Sequence, residues 1–418
     1  MRTFATLIFL CIVLQVSAQR ECATKVYTET LRKDKTTAAR MDEAEHFATQ
    51  QSRNFISGIS GSQTKEKFII RIPVVVHVLY NTAAQNISDA QINSGIAALN
   101  RDFRKQNSDT VNTPARFKAA AADVEIEFQL ATADPHGVAT TGIVRKPTSS
   151  FAFNMDDKIK FSAQGGDDAW DTKSYLNIWL GNTRRLLGYA TMPGGDATID
   201  GMVINYTAFG TINTAAPYNL GRTAVHEVGH WLGLYHIWGD EPCGDDFVDD
   251  TPKQGGYTSG CPSGIRSSCS NSADGDMYMN YMDFTNDACM NLFTQGQKER
   301  MRAQFASGGP RNSLLASTGL NEPWMEAAPV QAEDTILQIS LLQVYPNPAA
   351  NEVMLQCNAA ANCSGSVLYL VNITGTVVQK INLTTHAQKV SLSALRPGLY
   401  FLEGFINETR IHQKLVKL

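Results

Sequence analysis

The sequence lacks an excess of either charge. Its 36 lysine and arginine residues and 40 aspartate and glutamate residues give a formal net charge of −4 over 418 residues. It also lacks a basic block, and clustered positive charge supplies most of the affinity of proteins for nucleic acid, so nucleic-acid binding is not expected. The 43% hydrophobic content and 18% charged content are ordinary for a globular chain of two or three domains.

No run of about 20 apolar residues, the length needed to cross a bilayer, occurs in the sequence. The apolar run Phe4–Leu14 is shorter than that, follows Arg2, and precedes small residues that suit cleavage before Gln19. This order is typical of an export signal, so residues 1–18 are predicted to be a signal peptide rather than a membrane anchor. The mature protein is therefore predicted to be secreted, with no transmembrane segment.

Cysteines are few, and their number is odd once the signal is removed. Of eight cysteines, Cys11 lies in the predicted signal, which leaves seven in an oxidising compartment where pairing is expected. Four lie between 243 and 289, and Cys357 and Cys363 lie close together, so three local pairs would leave Cys22 alone. An unpaired thiol near the mature N-terminus invites a functional explanation.

Changes in composition and hydrophobic pattern along the chain predict four further segments. They are a polar leader over 19–64, an α+β domain over 65–318, a linker over 319–336 and a small all-β sandwich over 337–418. Within the α+β domain, β-branched or alternating stretches predict strands, and 3.6-residue periodicity predicts helices, one of them with Ser88 as its N-cap. The predicted strands are 68–80, 124–132, 175–181 and 200–206, and the predicted helices are 87–107 and 294–307.

The stretch HEVGHWLGLYH, residues 226–236, places possible metal-binding histidines on a predicted helix. His226 and His230 lie four residues apart and share a helix face, so both can reach one metal ion. His236 is six residues beyond His230, about 240° away on a regular helix, so the chain must turn before it. Gly233 can supply this turn, since glycine adopts positive φ without a Cβ penalty.

Three nitrogen ligands leave one coordination position open, which is the arrangement of a catalytic zinc site. Glu227 lies one step round the helix, where a carboxylate can act on water beside the metal without binding the metal. The alternative is that these histidines only pack or cap an amphipathic helix. With eight histidines in the chain, a chance match of three histidines, glutamate and glycine to this spacing is roughly a one in 10⁵ event.

This pattern resembles the HExxHxxGxxH pattern of the metzincin metallopeptidases, and among them the secreted bacterial branch of the pappalysin family. The resemblance covers most of 68–310 and is carried by LNIWL (176–180), GYATMPGG (188–195), GDDFVDDTP (244–252), NYMDF (280–284) and DACMNLFTQGQKERM (287–301). It implies a metzincin catalytic domain, with a mixed sheet and an active-site helix, that acts as a zinc-dependent endopeptidase on proteins or peptides.

The resemblance also assigns roles after the histidine helix. Met282 matches the methionine of the turn beneath the zinc, and Phe284 stands where the family usually has a tyrosine that steadies the tetrahedral intermediate. A phenyl ring cannot donate to an oxyanion. Asp287 matches the floor of the pocket for the residue after the scissile bond, which implies cleavage on the N-terminal side of Arg or Lys. The alternative for Asp287 is a solvated turn.

Four cysteines remain open to three pairings on sequence alone. The resemblance implies the pairs Cys243–Cys269 and Cys261–Cys289.

The acidic run DDFVDDT resembles the calcium loop of the family. It makes Asp246, Asp249 and the Thr251 carbonyl expected calcium ligands, which suits the preference of calcium for oxygen. The alternative is a solvated acidic loop.

The stretch RECAT, residues 20–24, resembles the leader of related zymogens, in which a cysteine blocks the open zinc position. The resemblance thus makes Cys22 a latency residue. The alternatives are an intermolecular disulfide and an inert thiol.

The C-terminal sandwich, from VYPNP (344–348) onward, resembles the sorting domains that Bacteroidetes use for type IX secretion. It implies that the secretion machinery is a partner and that the protein is released or attached to the outer cell surface. A carbohydrate- or protein-binding module is the alternative. For the whole chain, the competing hypotheses are a surface adhesin with an inactive metallopeptidase-like domain and a zinc amidase that acts on small molecules or cell-wall peptides.

Overall fold

The structure is a computed structural model that describes residues 22–56, 68–271, 274–323, 342–358, 363–372, 376–406 and 409–418. The chain divides into two compact units at Glu326. The predicted signal peptide and most of the predicted linker lie outside the described residues, and the predicted segment boundaries stay predictions. Within the described ranges, no helix combines the length and apolar character that crossing a membrane requires.

The first unit is built on a mixed sheet. Its strands are β1 (Ile70–Tyr80), β2 (Ile126–Leu130), β3 (Ile143–Pro147), β4 (Leu176–Gly181), β5 (Gly188–Ala190) and β6 (Met202–Asn205). The order is β2-β1-β4-β6-β5, and β3 pairs with the second half of β1. Only β5 runs antiparallel to its neighbour, and it lies at an edge. The central strands β1 and β4 are almost fully buried, which explains their continuous apolar runs.

Helices cover this sheet, with bounds α1 (Thr24–Leu31), α2 (Lys35–Ile56), α3 (Asp89–Phe103), α4 (Ala115–Lys118), α5 (Arg222–Trp231) and α6 (Gln295–Ala303). The Ser88 hydroxyl accepts a hydrogen bond from the Gln91 amide at 3.2 Å, which confirms the predicted N-cap of α3. Helix α6 begins with a capping box between Thr294 and Gln297. The predicted α+β class, with a mixed sheet and an accompanying set of helices, is confirmed for the first unit.

A buried ion pair fixes the end of α5, all ten residues of which are buried. The Arg311 guanidinium binds the Asp200 carboxylate through two hydrogen bonds of 2.5 and 2.8 Å, and lies 4.1 Å from the ring of Trp231. The Trp231 indole donates to the same carboxylate at 3.2 Å. Since a paired and hydrogen-bonded charge is costly to separate in a protein interior, this network holds α5 against the loop before β6.

The face of the sheet opposite α5 carries a second, smaller hydrophobic core. Leu79, Trp179, Tyr189 and Val203 point to it from β1, β4, β5 and β6. Ala23 and Tyr27, at the start of the leader, are buried against this core. The leader therefore covers one end of the sheet.

The second unit is a small sandwich of two antiparallel sheets, as predicted. One sheet has the order β10-β9-β12-β13 and the other β11-β8-β7. The strands are β7 (Leu342–Tyr345), β8 (Glu352–Cys357), β9 (Val367–Asn372), β10 (Val377–Asn382), β11 (Ala387–Ser391), β12 (Gly398–Ile406) and β13 (Thr409–Lys417). Cys357 and Cys363 form a disulfide within its apolar core.

Candidate active site

The turn after α5 depends on Gly233. This residue has φ +88°, and two hydrogen bonds close the helix end, from the Gly233 amide to the His230 carbonyl (2.8 Å) and from the Leu234 amide to the Gly229 carbonyl (2.9 Å). The left-handed residue ends the helix and turns the chain back, as the spacing of the histidines predicts. His236 is thereby brought beside His230.

The three histidines are buried, and their Nε2 atoms face one another. The Nε2 atom of His230 lies 3.1 Å from that of His226 and 3.1 Å from that of His236. Each Nδ1 atom has an oxygen partner: the Tyr281 carbonyl (2.7 Å), the Leu234 carbonyl (2.8 Å) and the Asp240 carboxylate, respectively.

These partners decide what the Nε2 atoms present. A carbonyl can only accept, so the Nδ1 atoms of His226 and His230 carry the proton and their Nε2 atoms keep a lone pair. Burial, and then the charge of His236, lower the pKa of His230 to about 3, so this ring is neutral. Lone pairs that converge in a buried cluster repel one another unless a cation lies between them. The donor set therefore fits a metal ion.

A cysteine completes this cluster. Cys22, His226, His230 and His236 place their ligand atoms within 4.8 Å of one another, the sole such group of possible metal ligands in the described ranges. Burial, and then the charge of Glu227, raise the pKa of the Cys22 thiol well above its usual value. The thiol is therefore neutral without a cation beside it, whereas a bound metal favours the thiolate.

The leader around Cys22 lies along strand β5. The Ala23 amide donates to the Gly188 carbonyl (3.0 Å), and the Ala190 amide donates to the Thr24 hydroxyl (2.9 Å). That hydroxyl in turn donates to Oε2 of Glu227 at 2.9 Å. Thr24 is not among the predicted site residues, and its position two residues after Cys22 is the one signal in the sequence that points to it. The leader thus engages both the metal ligands and the carboxylate beside them.

The residues of the predicted Met-turn lie close to α5 and to the histidines. Met282 packs directly beneath α5, since a Cβ atom on Gly229 would come 2.5 Å from its sulfur. The Phe284 ring meets the His236 ring edge-on, with centroids 4.8 Å apart. Tyr281 is fully buried, and its ring centroid lies 5.5 Å from the Arg222 guanidinium carbon.

Asp287 has no exposed surface, which does not fit a solvated turn. Its Oδ2 atom accepts hydrogen bonds from the amides of Leu220 (2.8 Å) and Arg222 (3.3 Å). Its own amide donates to the Pro217 carbonyl at 3.0 Å. The carboxylate is therefore fixed against the loop that leads into α5.

The expected calcium ligands differ in their surroundings. Asp246 is buried, and burial raises its pKa to about 7, whereas Asp249 is exposed. The Thr251 hydroxyl donates to the Asp246 carboxylate at 2.8 Å. Calcium at this loop stays a prediction.

Disulfides join Cys243 to Cys269 and Cys261 to Cys289, the pairs that the resemblance implies. Cys22 has a free thiol. The two bonds staple the loop-rich segment that precedes and includes the Met-turn.

Comparisons with known proteins identify both units. Residues 160–306 match the family described as pregnancy-associated plasma protein-A, and residues 343–418 match the secretion system C-terminal sorting domain. An extracellular metalloprotease of Verticillium alfalfae is 32% identical over 269 residues, which cover 62% of this chain and 82% of that protein.

Two solved structures of a bacterial relative align with more than half of this chain. Mature mirolysin of Tannerella forsythia, in complex with a cleaved peptide, is 52% identical and covers 59% of this chain and 96% of its own, with a TM-score of 0.58. A promirolysin mutant from the same organism is 46% identical and covers 71% of this chain and 97% of its own, with a TM-score of 0.64. The form described as pro thus aligns with a larger share of this chain than the mature form.

Gly233→Ala tests the turn. Alanine at this φ costs about 1–2 kcal/mol of unfolding free energy, and because His236 follows the turn, zinc affinity should fall by roughly tenfold or more. Gly264→Ala is the matched control, since Gly264 has φ +78° and no atom near its Cβ position. Thermal unfolding and a competitive chelator titration measure the two effects. Equal zinc affinities in the two variants would contradict this account of the turn.

Proposed function

Because this chain belongs to the pappalysin family of metzincin metalloendopeptidases, we propose that His226, His230 and His236 hold one catalytic zinc ion. The protein is secreted or lies on the cell surface, and proteins are its substrates. The observation that carries the proposal is the convergence of three Nε2 atoms with the Cys22 thiol, which in turn interacts with the Glu227 carboxylate.

Zinc, when bound, supplies a Lewis acid that polarises the peptide carbonyl and lowers the pKa of water. Glu227 follows His226 on α5 and acts as the general base, which takes a proton from water and passes it to the leaving amine. The Gly188 carbonyl accepts from the leader backbone and the Ala190 amide donates to the Thr24 hydroxyl; once the leader is removed, both groups bind the backbone of an extended substrate at this sheet edge. The oxygen partners of the three Nδ1 atoms keep the histidine rings in place during the reaction.

Selectivity rests on Asp287 in this proposal. Its buried carboxylate, fixed by two backbone amides, favours a cationic side chain after the scissile bond. A guanidinium can bind a carboxylate through two parallel hydrogen bonds, so Arg is preferred over Lys. Cleavage on the N-terminal side of Arg follows.

Latency rests on the leader, which we take to be a removable pro-segment over 19–64. Cys22 is the fourth possible ligand of the cluster, and Thr24 binds the general base. Both contacts occupy groups that catalysis needs. The intact chain is therefore a zymogen.

Glu227→Ala tests the reaction. The variant should bind one zinc ion per chain but lose activity by roughly 10²–10⁴-fold, because the general base is absent. Zinc content and cleavage of a peptide library, with the leader removed from both proteins by the same cut, give the two readouts. Retained proteolysis would overturn the mechanism, and an inactive parent protein would favour an adhesin.

Phe284→Tyr tests the missing donor. A hydroxyl at this position, next to the His236 ring, should raise kcat on a good peptide substrate by up to roughly 10²-fold, since it can donate to the developing oxyanion. Phe284→Leu serves as the control, because it changes the ring without adding a donor. A kcat in Phe284→Tyr that equals or falls below that of the parent would show that another group already fills the role.

Asp287→Asn tests the specificity. Loss of a buried charge pair costs about 2–5 kcal/mol, so kcat/KM on an Arg peptide should fall by roughly 30- to 4000-fold. The same peptide with neutral citrulline in place of Arg is the control, and its kcat/KM should change little. Equal losses on both peptides would mean that Asp287 only supports the loop.

Cys22→Ala and Thr24→Val test the latency. Each uncleaved variant should show measurable proteolysis and faster self-processing than the parent. Cys22→Ala leaves the fourth metal position open, and Thr24→Val releases Glu227. Thr24→Ser keeps the hydroxyl and should stay latent. If both uncleaved test variants are as inactive as the parent, the leader contacts are not the cause of latency.

A further inference from the structure

Tyr27 of the leader fills a pocket on the face of the sheet opposite the histidines. It is 1% exposed, and its ring lies 4.7 Å from the ring of Tyr189, on strand β5. Its hydroxyl donates to the Asp157 carboxylate, 2.7 Å from Oδ2, and accepts from Nζ of Lys160 at 2.9 Å. Tyr27 thus has a ring partner, an acceptor and a donor in one place.

The walls of this pocket are held by contacts that do not involve the leader. Nζ of Lys160 donates to the Ile199 carbonyl (2.7 Å), lies 3.0 Å from Oδ1 of Asp157, and lies 5.5 Å from the centroid of the Trp179 ring. The Thr191 hydroxyl donates to the same carbonyl at 2.8 Å. The polar end of the pocket therefore keeps its shape when Tyr27 leaves.

The pocket discriminates between a phenol and a phenyl ring. Burial, and then the charge of Asp157, raise the pKa of the Tyr27 hydroxyl, which therefore stays protonated and donates to the carboxylate. A phenylalanine would fill the same volume but would leave Asp157 and the fully buried Lys160 without this partner. Sites built to bond a hydroxyl reject the analogue that lacks it strongly, since buried polar groups are then left unpaired.

One short strand, β5, separates this pocket from the cleft beside the histidines. On the cleft side of β5, the Gly188 carbonyl accepts from the leader backbone and the Ala190 amide donates to the Thr24 hydroxyl, while the side chain of Tyr189 between them lines the pocket. We propose that, once the leader has been removed, this pocket binds a tyrosine side chain of the protein substrate and adds a second point of selection to the cleft. This inference rests on the proposed role of the leader as a removable pro-segment.

Binding of a leader-derived peptide tests the pocket. The full chain carries Glu227→Ala and a protease site inserted between 57 and 67, and is cut after folding so that the leader separates. The probe is a fluorescent peptide of residues 23–31, ATKVYTETL, which omits Cys22. We expect the Tyr27 peptide to bind at least roughly tenfold more tightly than the same peptide with Phe at this position.

Asp157→Asn is the matched variant of the pocket. Asp157 has φ +58°, a conformation that asparagine tolerates, so the change removes the charge and leaves the backbone. The preference for Tyr over Phe should then fall below about threefold, and Lys160→Met should reduce it as well. Equal affinities for the two peptides in the parent pocket would overturn the proposal. A leader that stays bound after cutting would also overturn it, because the pocket would never open.

Cleavage of a peptide library by the cut chain with Glu227 intact extends the test to substrates. Tyrosine should be enriched over phenylalanine at a fixed distance from the scissile bond, and the enrichment should vanish in Asp157→Asn. Hydrolysis of Arg peptides without any tyrosine enrichment would sink the pocket alone. Tyrosine-selective binding without hydrolysis would sink the proposed protease function and leave the pocket standing.

Discussion

Three imidazole lone pairs meet in a buried cleft, and they repel one another unless a cation lies between them. Much of the first unit fixes this meeting. The left-handed turn at Gly233 brings the third ring round, and oxygen acceptors on the Nδ1 atoms hold each ring with its lone pair turned inward. Met282 supports α5 from below, and the Arg311–Asp200 pair anchors its last residue, Trp231. The fold thus holds the three imidazole rings in a geometry that suits a metal ion.

The leader binds this centre from several sides. Cys22 lies among the histidines, Thr24 holds Glu227, and Tyr27 fills a pocket on the far face of the same edge strand. Helix α2 adds a further contact, since Glu45 pairs with Arg300 at 2.5 Å and Nε of Arg300 donates to the Gly233 carbonyl at 2.8 Å. The leader is therefore tied to Glu227, to the histidine cluster and, through Arg300, to the turn at Gly233.

The sequence predicts the elements of the first unit well where local patterns decide them. The β-branched run of β1, the Ser88 cap of α3 and the glycine between two histidines each carry a physical reason that operates within a few residues. Contacts of the leader could not be predicted in the same way. Its polar composition gives only a weak periodic signal, and the bond between Thr24 and Glu227 joins residues 203 positions apart. The burial of Lys160 beneath Tyr27 escapes sequence reasoning for the same reason, because lysine is rarely buried and its partners come from distant segments.

We propose that one zinc ion is held by the three histidines and, in the intact chain, by Cys22. X-ray absorption at the zinc edge of the full chain measures this directly. We expect three nitrogen ligands at about 2.0–2.1 Å and one sulfur at about 2.3 Å, with the sulfur replaced by a light atom after removal of the leader or in Cys22→Ala. A zinc shell without sulfur in the intact chain, or with fewer than three imidazole ligands in either form, would contradict it.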